Sequence, residues 1–348
     1  MKRTTLNLIS IIFLFQSFSC KSDPASSVIK DTPGRRDYEW SVDTVKGTML
    51  NLLNLWAGSH NDVWAVGDNG EFEKRLWHYD GTSWKSKGWW GLSANCVFGF
   101  GRNNVYVGGI GIWHFDGAKW EKDLSPGLED LTKGEALITD IRGNDSENIW
   151  AVGFGYKDEN TSYGVIYHRN LKGWEKKLVM NKKNIDLYQV YPTSRDSKCL
   201  IYGIKYTYNP FSDSMAIFEY DGDKSLKEIA TGVIYNRSSQ CRIYMVQEKL
   251  LLEIQGAIYE YNKGEYKKLI SIETLNNGTI IGGRNISDIF IWQREGLAHY
   301  NGTDTQVIFK LKDDIWLHGC VAAFEKEIFF MGSDQKGDYY LVKGKLKD

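Results

Sequence analysis

The chain is dominated by a unit that recurs along most of its length, at the spacing of 35 to 50 residues that marks propellers and solenoids. The clearest copy runs from Leu55 to Trp84. It contains a Gly58-Ser59-His60-Asn61 turn, the run Asp62-Val63-Trp64-Ala65-Val66-Gly67, then Leu76-Trp77-His78-Tyr79 into Asp80-Gly81, and ends at Trp84. Asn104 to Gly108, Ile112 to Gly117 and Trp120 repeat it, and so do Asn148 to Gly153, Ile166 to His168 and Gly173-Trp174. Eroded copies follow at Leu200 to Gly222, Leu250 to Gly264 and Asp288 to Gly302, and a seventh begins at Trp316 and reaches Tyr339 to Lys343.

Each copy holds about four short β-rich runs. The second is apolar almost throughout, as a strand buried on both faces must be, while the third and fourth alternate. Asp-Gly and Asn-Gly between the third and fourth runs supply the positive φ of a tight hairpin. The pattern therefore predicts an all-β fold, a β-propeller of about seven four-stranded blades, with six and eight as the alternatives. The seventh copy lacks an outer strand, and Tyr38 to Thr44 is a strand-like segment without a blade. Pairing the two would close the ring and would place Trp40 in the setting of Trp84, Trp120 and Trp174. A straight solenoid would need caps that the sequence does not supply.

Ahead of the repeat, Lys2 and Arg3 precede an apolar run from Leu6 to Phe15 and then Ser17-Phe18-Ser19-Cys20. This is a secretory signal, too short to span a bilayer. It resembles the bacterial lipoprotein signal, with Ser17 in place of the usual leucine. The resemblance implies lipidation at Cys20 and, because Lys21 is not the aspartate of inner-membrane retention, an outer-membrane lipoprotein facing the periplasm or the surface. The expected organisation is a signal peptide over 1–19, a polar tether over 20–37 and one propeller over 38–348. The repeat itself resembles bacterial propeller proteins with Asp-Val-Trp-Ala-Val-Gly and Asp-Gly-x-x-Trp units, commonly secreted or lipid-anchored, a likeness that implies fold and little about activity.

A formal net charge of -1, with both signs interspersed, offers no basic field for a nucleic acid. Cys96, Cys199, Cys241 and Cys320 are irregularly spaced in apolar segments, which argues against zinc. A Cys199–Cys241 disulfide is permitted by an oxidising compartment. His78, His114, His168 and His299 share one repeat position, so each belongs to a different blade and a structural role is expected. Only His318 lies where it could face the central channel. Asp80-Gly81-Thr82-Ser83-Trp84 resembles the sialidase Asp-box, but its Asp and Gly are adjacent, and that motif is structural even in sialidases.

Paired carboxylates would suit glycoside hydrolysis, and Asp140, Asp186, Asp313 and Asp314 lie near inner-strand starts, where acidic residues are more often turn formers. No Gly-x-Ser-x-Gly, phosphate loop, His-Glu-x-x-His or EF-hand loop is present. No cofactor or metal is expected.

The long segments, Phe154 to Tyr163, Lys205 to Met215 and Leu124 to Leu137, would all emerge on one face. Variation confined to one face marks a binding surface. Trp89, Trp90, Phe154, Tyr156, Tyr163, Tyr206, Tyr208 and Phe211 are its candidate aromatics, suited to a protein partner or to sugars. The expectation is a monomeric, non-enzymatic, lipid-anchored module that binds an envelope protein. Glycan capture is the alternative, and a propeller glycosidase or lyase ranks third.

Overall fold

The computed structural model describes residues 33–45, 52–67, 75–88, 93–124, 136–158, 161–179, 184–193, 198–207, 213–222, 225–234, 240–310, 315–336 and 338–348. Seven four-stranded antiparallel sheets follow one another as the blades of a propeller. Blade 1 is β2 (Leu52–Ser59), β3 (Asp62–Gly67), β4 (Leu76–Tyr79) and β5 (Trp84–Ser86). Blade 2 is β6 (Cys96–Gly101), β7 (Asn104–Gly109), β8 (Gly111–Phe115) and β9 (Trp120–Leu124). Blade 3 is β10 (Leu137–Asp145), β11 (Asn148–Asp158), β12 (Thr161–Asn170) and β13 (Gly173–Val179). Blade 4 is β14 (Ile185–Pro192), β15 (Cys199–Lys205), β16 (Ser214–Tyr220) and β17 (Leu226–Val233). Blade 5 is β18 (Cys241–Val246), β19 (Lys249–Ile254), β20 (Ala257–Asn262) and β21 (Glu265–Ser271). Blade 6 is β22 (Thr279–Asn285), β23 (Asp288–Gln293), β24 (Gly296–Tyr300) and β25 (Thr305–Lys310).

Blade 7 takes its strands from both ends of the chain: β26 (Ile315–Ala323), β27 (Glu327–Asp334), β28 (Tyr339–Leu346) and, outermost, β1 (Tyr38–Val45). The pairing of β1 with β28 runs from Tyr38 opposite Leu346 to Val45 opposite Tyr339. The expected closure is therefore present, and Trp40 packs with Tyr38, Phe309 and Phe330. The segment before β1, expected to be tether up to residue 37, is docked from Gly34 onward. Gly34 N–H donates to Ser287 O, Arg36 donates to the carbonyls of His299 and Asp304, and Arg35 donates to Lys347 O.

The second strands are the most buried, and β3 has no exposed residue. Apolar clusters fill the spaces between neighbouring blades, as with Trp150, Val152, Leu187, Val190 and Ile201 between blades 3 and 4. Polar staples cross the same interfaces near the axis. Val97 N–H donates to Asn54 Oδ1, the Thr139 hydroxyl to Leu187 O, and the Tyr191 hydroxyl to Ile243 O.

The recurrent histidines explain themselves in three dimensions. Each stands on a third strand, stacks on the aromatic residue opposite, and donates through Nε2 to the residue that opens the second strand. The pairs are His78 with Asp62 at 2.7 Å, His114 with Asn104 at 2.9 Å, His168 with Asn148 at 2.8 Å and His299 with Asp288 at 2.7 Å. The rings they cover are Trp64, Tyr106, Trp150 and Phe290. Burial lowers the pKa of His114 and His168, whose partners are uncharged amides. Where histidine is replaced, the pairing survives: Lys249 with Glu260 at 3.3 Å in blade 5, where acid and base have changed places, and Glu327 with Lys343 at 2.9 Å in blade 7, where they have not. In blade 4 the equivalent Glu219 accepts from the Tyr261 hydroxyl of the next blade.

Two expectations need correction. The Asp-Gly turn is a four-residue loop, since Tyr79 pairs with Trp84 and positive φ occurs at Gly81 alone. The reason is the Asp80 carboxylate, which accepts from the N–H groups of Thr82 and Ser83 and so replaces the second half of a tight hairpin. Cys199 and Cys241 are both free and buried. Cys199 packs on the blade 3 side of blade 4, while Cys241 packs with residues on the blade 5 side, so the sheet of blade 4 lies between them. Burial raises both thiols, that of Cys241 to about 12.

Two stability measurements follow from this frame. Trp40→Ala should cost about 3 kcal/mol in urea unfolding, whereas Val42→Ala, further along the same strand where the side chain is 46% exposed, should be nearly silent; a silent Trp40→Ala would mean that β1 adds nothing to closure. Asp288→Ala strands the buried Arg284 and His299 without their acceptor, at a cost of roughly 3 to 5 kcal/mol. Lys249→Ala, at the equivalent but exposed position, should leave the midpoint within error.

Candidate functional site

In this topology the ends of second strands and the starts of third and first strands share one face. It is called the loop face here, and the opposite side the turn face. The inner strands of all seven blades surround a central cavity of about 410 Å³ whose polar lining includes Asn54, Asp140, Arg142, Gln189 and Arg242. Within it Arg142 Nε donates to Asp140 Oδ2 at 2.9 Å, and Val190 N–H donates to the same oxygen at 3.0 Å. The Arg142 guanidinium also lies 4.3 Å from the centre of the Tyr191 ring. Burial is the largest influence on Asp140 and raises its pKa against the pull of Arg142 and Val190 N–H. The group ties blade 3 to blade 4, and Tyr191 carries the chain of contacts on to blade 5.

Asp186, the other candidate carboxylate within the described residues, does not line the cavity. It is 3% exposed, and its Oδ1 has no hydrogen-bond partner among the described residues. Burial raises its pKa to about 6, with the Ser162 hydroxyl pulling the other way. Asp140 lines the central cavity and Asp186 does not, so the two carboxyls do not face one space as the pair of a glycosidase must. Asp313 and Asp314 lie outside the described residues, as does the His318 side chain. No cluster of three or more His, Cys, Asp or Glu residues with metal-binding geometry occurs among the described residues.

The segment Phe154 to Tyr163, expected to be a loop, is mostly β-hairpin. Strands β11 and β12 continue their ladder through Phe154–Gly164, Gly155–Tyr163 and Tyr156–Ser162 to Asp158–Thr161. Aromatic residues alternating with glycine are good strand formers once a partner strand is present. With 11 and 10 residues, these strands outreach the six-residue second strands of blades 1 and 2. The hairpin therefore projects from the loop face. Tyr156 near its tip is 50% exposed.

At its base Phe154 is buried, which removes it from the expected set of exposed contacts. Its ring packs edge-on to Tyr156 and against Tyr188 of blade 4. The Tyr188 hydroxyl lies 2.8 Å from that of Tyr206, and burial together with this contact drives the Tyr188 pKa far up. Tyr163 and Tyr206 are half-buried. The structure thus brings Phe154, Tyr156 and Tyr206 into one aromatic group with Tyr188, which the sequence reading did not select. Trp89, Trp90, Tyr208, Phe211 and the lipidation candidate Cys20 lie outside the described residues.

Two further loop-face residues were also missed, Arg242 and Trp292. Each breaks the repeat at its position: Trp292 stands where blades 1 and 3 have Val66 and Val152, and Arg242 where they have Asn54 and Asp140. Departure from the repeat, read in register, is the signal that would have found them.

No protein-family model matches the chain, and no curated protein matches it. Among solved structures it resembles a catalytically inactive virginiamycin B lyase from Staphylococcus aureus with quinupristin. The TM-score is 0.58 at 12% identity, over 89% of this chain and 100% of that one. The WD40 β-propeller domain of Doa1 gives a TM-score of 0.49 at 14% identity, over 87% of this chain and 96% of that one. At these identities the likeness is one of fold.

The raised carboxyl of Asp186 has a pH signature. Its folded pKa of about 6 exceeds the ordinary value of 3.8, so stability falls as pH rises from that ordinary value to the folded one and stays lowered above it. Asp186→Asn should raise the urea midpoint at pH 7.5 and leave it unchanged at pH 3.5. A gain of the same size at both pH values would exclude an ionised Asp186 as the cause.

Proposed function

We propose that the chain is a lipid-anchored, non-enzymatic propeller of the bacterial envelope whose loop face docks a protein partner. The observation that carries this reading is the β11–β12 hairpin. It extends beyond the blade, it presents Tyr156 in the open, and its root is held by the Phe154, Tyr188 and Tyr206 group. A preorganised arm with an aromatic tip suits a protein interface, because tyrosine supplies contact area at low entropic cost and little of the arm's order has to be gained on binding.

The non-catalytic part of the reading rests on the channel. Asp140 is committed to Arg142 and Val190 N–H, and Asp186 lies away from it, facing no catalytic partner. Lipid attachment rests on the sequence around Cys20, and residence in the outer membrane on Lys21.

Site-specific photocrosslinking in intact cells tests the docking face. A crosslinker replacing Tyr156 is expected to give one discrete protein adduct. One replacing Leu171, which is 81% exposed on the turn face, is expected to give none. Equal adducts at both positions, or none at Tyr156, would overturn the assignment. Cys20→Ser should move the protein from the membrane to the soluble fraction, and continued membrane residence would remove the lipid anchor from the proposal.

A further inference from the structure

The loop face holds a second concavity, of about 1110 Å³, between the starts of the first strands of blades 5, 6 and 7 and the β23–β24 turn. Arg242, Asn276, Trp292, Arg294, Glu295 and Gln335 are on its walls. Arg242 also lines the central cavity, so it stands where the two spaces meet. The hairpin of blade 3 contributes nothing to this concavity.

Arg242 and Trp292 are unexplained by the fold. In blades 1 and 3 the position of Arg242 holds an acceptor, Asn54 or Asp140, which takes a backbone N–H from the next blade. Arginine has donors only and cannot serve that purpose. Its Nη2 donates to Gln240 Oε1 at 3.3 Å, and its Nε is buried with no hydrogen-bond partner among the described residues. Arg142, the other arginine of the channel, has a carboxylate and a ring; Arg242 has neither ion pair nor stacking ring among the described residues. A guanidinium held with part of its fork unused is suited to receive an oxyanion from outside the chain.

The position of Trp292 is held in blades 1 and 3 by valines that are completely buried, yet the indole is 38% exposed. An indole on the wall of an aqueous concavity provides a flat apolar face, and Asn276 and Gln335 provide amides that both donate and accept. A flat ring with amides around it suits the C–H face and hydroxyl rim of a sugar. Among the described residues of the wall, Arg242 and Arg294 outnumber Glu295 by one positive charge, which favours a ligand bearing a negative group.

We propose that this concavity binds an acidic saccharide, with Arg242 receiving the carboxylate and Trp292 supporting the sugar ring. The site is separate from the docking arm, and the two assignments stand or fall independently.

Calorimetric titration of the full-length chain tests it with three probes: a galacturonate tetramer, a hyaluronan tetrasaccharide and 3'-sialyllactose, each beside its carboxyl-reduced neutral form. At least one acidic probe is expected to bind, and its neutral form to bind at least ~10-fold more weakly, the loss that accompanies removal of a charge-assisted hydrogen bond. Arg242→Gln is expected to abolish the preference while leaving affinity for the neutral form unchanged, and Trp292→Ala to weaken both forms. Failure of all three acidic probes to bind, equal affinity for an acidic probe and its neutral form, or a preference retained in Arg242→Gln would overturn the proposal.

If Arg242→Gln does not fold, the Trp292 indole N–H resonance of the unsubstituted chain serves instead. It should shift on titration with the acidic probe, and an unmoved resonance at saturation would overturn the site.

Discussion

A propeller is a sheet protein wrapped into a ring, and a ring made from one chain has a seam. The backbone pairing of β1 with β28 closes it here, with register kept over all eight residues of β1. Without that pairing β28 would be an open edge, and the blade 6–blade 7 interface would lose Tyr38 and Trp40 from its core. The seam is reinforced by polar contacts. Arg284 of blade 6 bonds to the Tyr38 hydroxyl at 2.9 Å and makes two bonds to Asp288, and the residues just before β1 clasp blades 6 and 7. The position of every other blade, and of the cavity they enclose, follows from this joint.

The repeat also shows how a fold tolerates erosion of its sequence. What persists from blade to blade is a relation between two places, one opening the second strand and one on the third. Aspartate or asparagine with histidine, lysine with glutamate, and glutamate with lysine all satisfy it. In the buried pairs each partner makes the other's burial tolerable. In blade 4 Glu219 accepts from the Tyr261 hydroxyl of the neighbouring blade.

This distinguishes what could be read from the sequence from what could not. Strand order, blade number and the role of the N-terminal segment all follow from a period and its phase, which are local properties of the chain. The aromatic candidates were chosen because they fall between strands in the linear pattern. Phe154 shows the limit of that reasoning, because a longer hairpin turned its segment into strand and its ring into packing. Tyr188 was invisible because it lies within a strand and meets Tyr206 only when blade 4 folds. The free state of Cys199 and Cys241 was equally illegible: a sheet separates two residues that the sequence places in neighbouring repeats.

The direction of entry of the chain also has a consequence for the two faces of the ring. Tyr38 begins β1 opposite Leu346, at the end of β28, and Gly34 and Arg36 touch Ser287 and Asp304 in turns of blade 6. All of these lie on the turn face. The chain thus reaches the ring on the side opposite the projecting arm and the second concavity. The joint that shuts the propeller therefore also keeps the first described residues clear of both candidate surfaces.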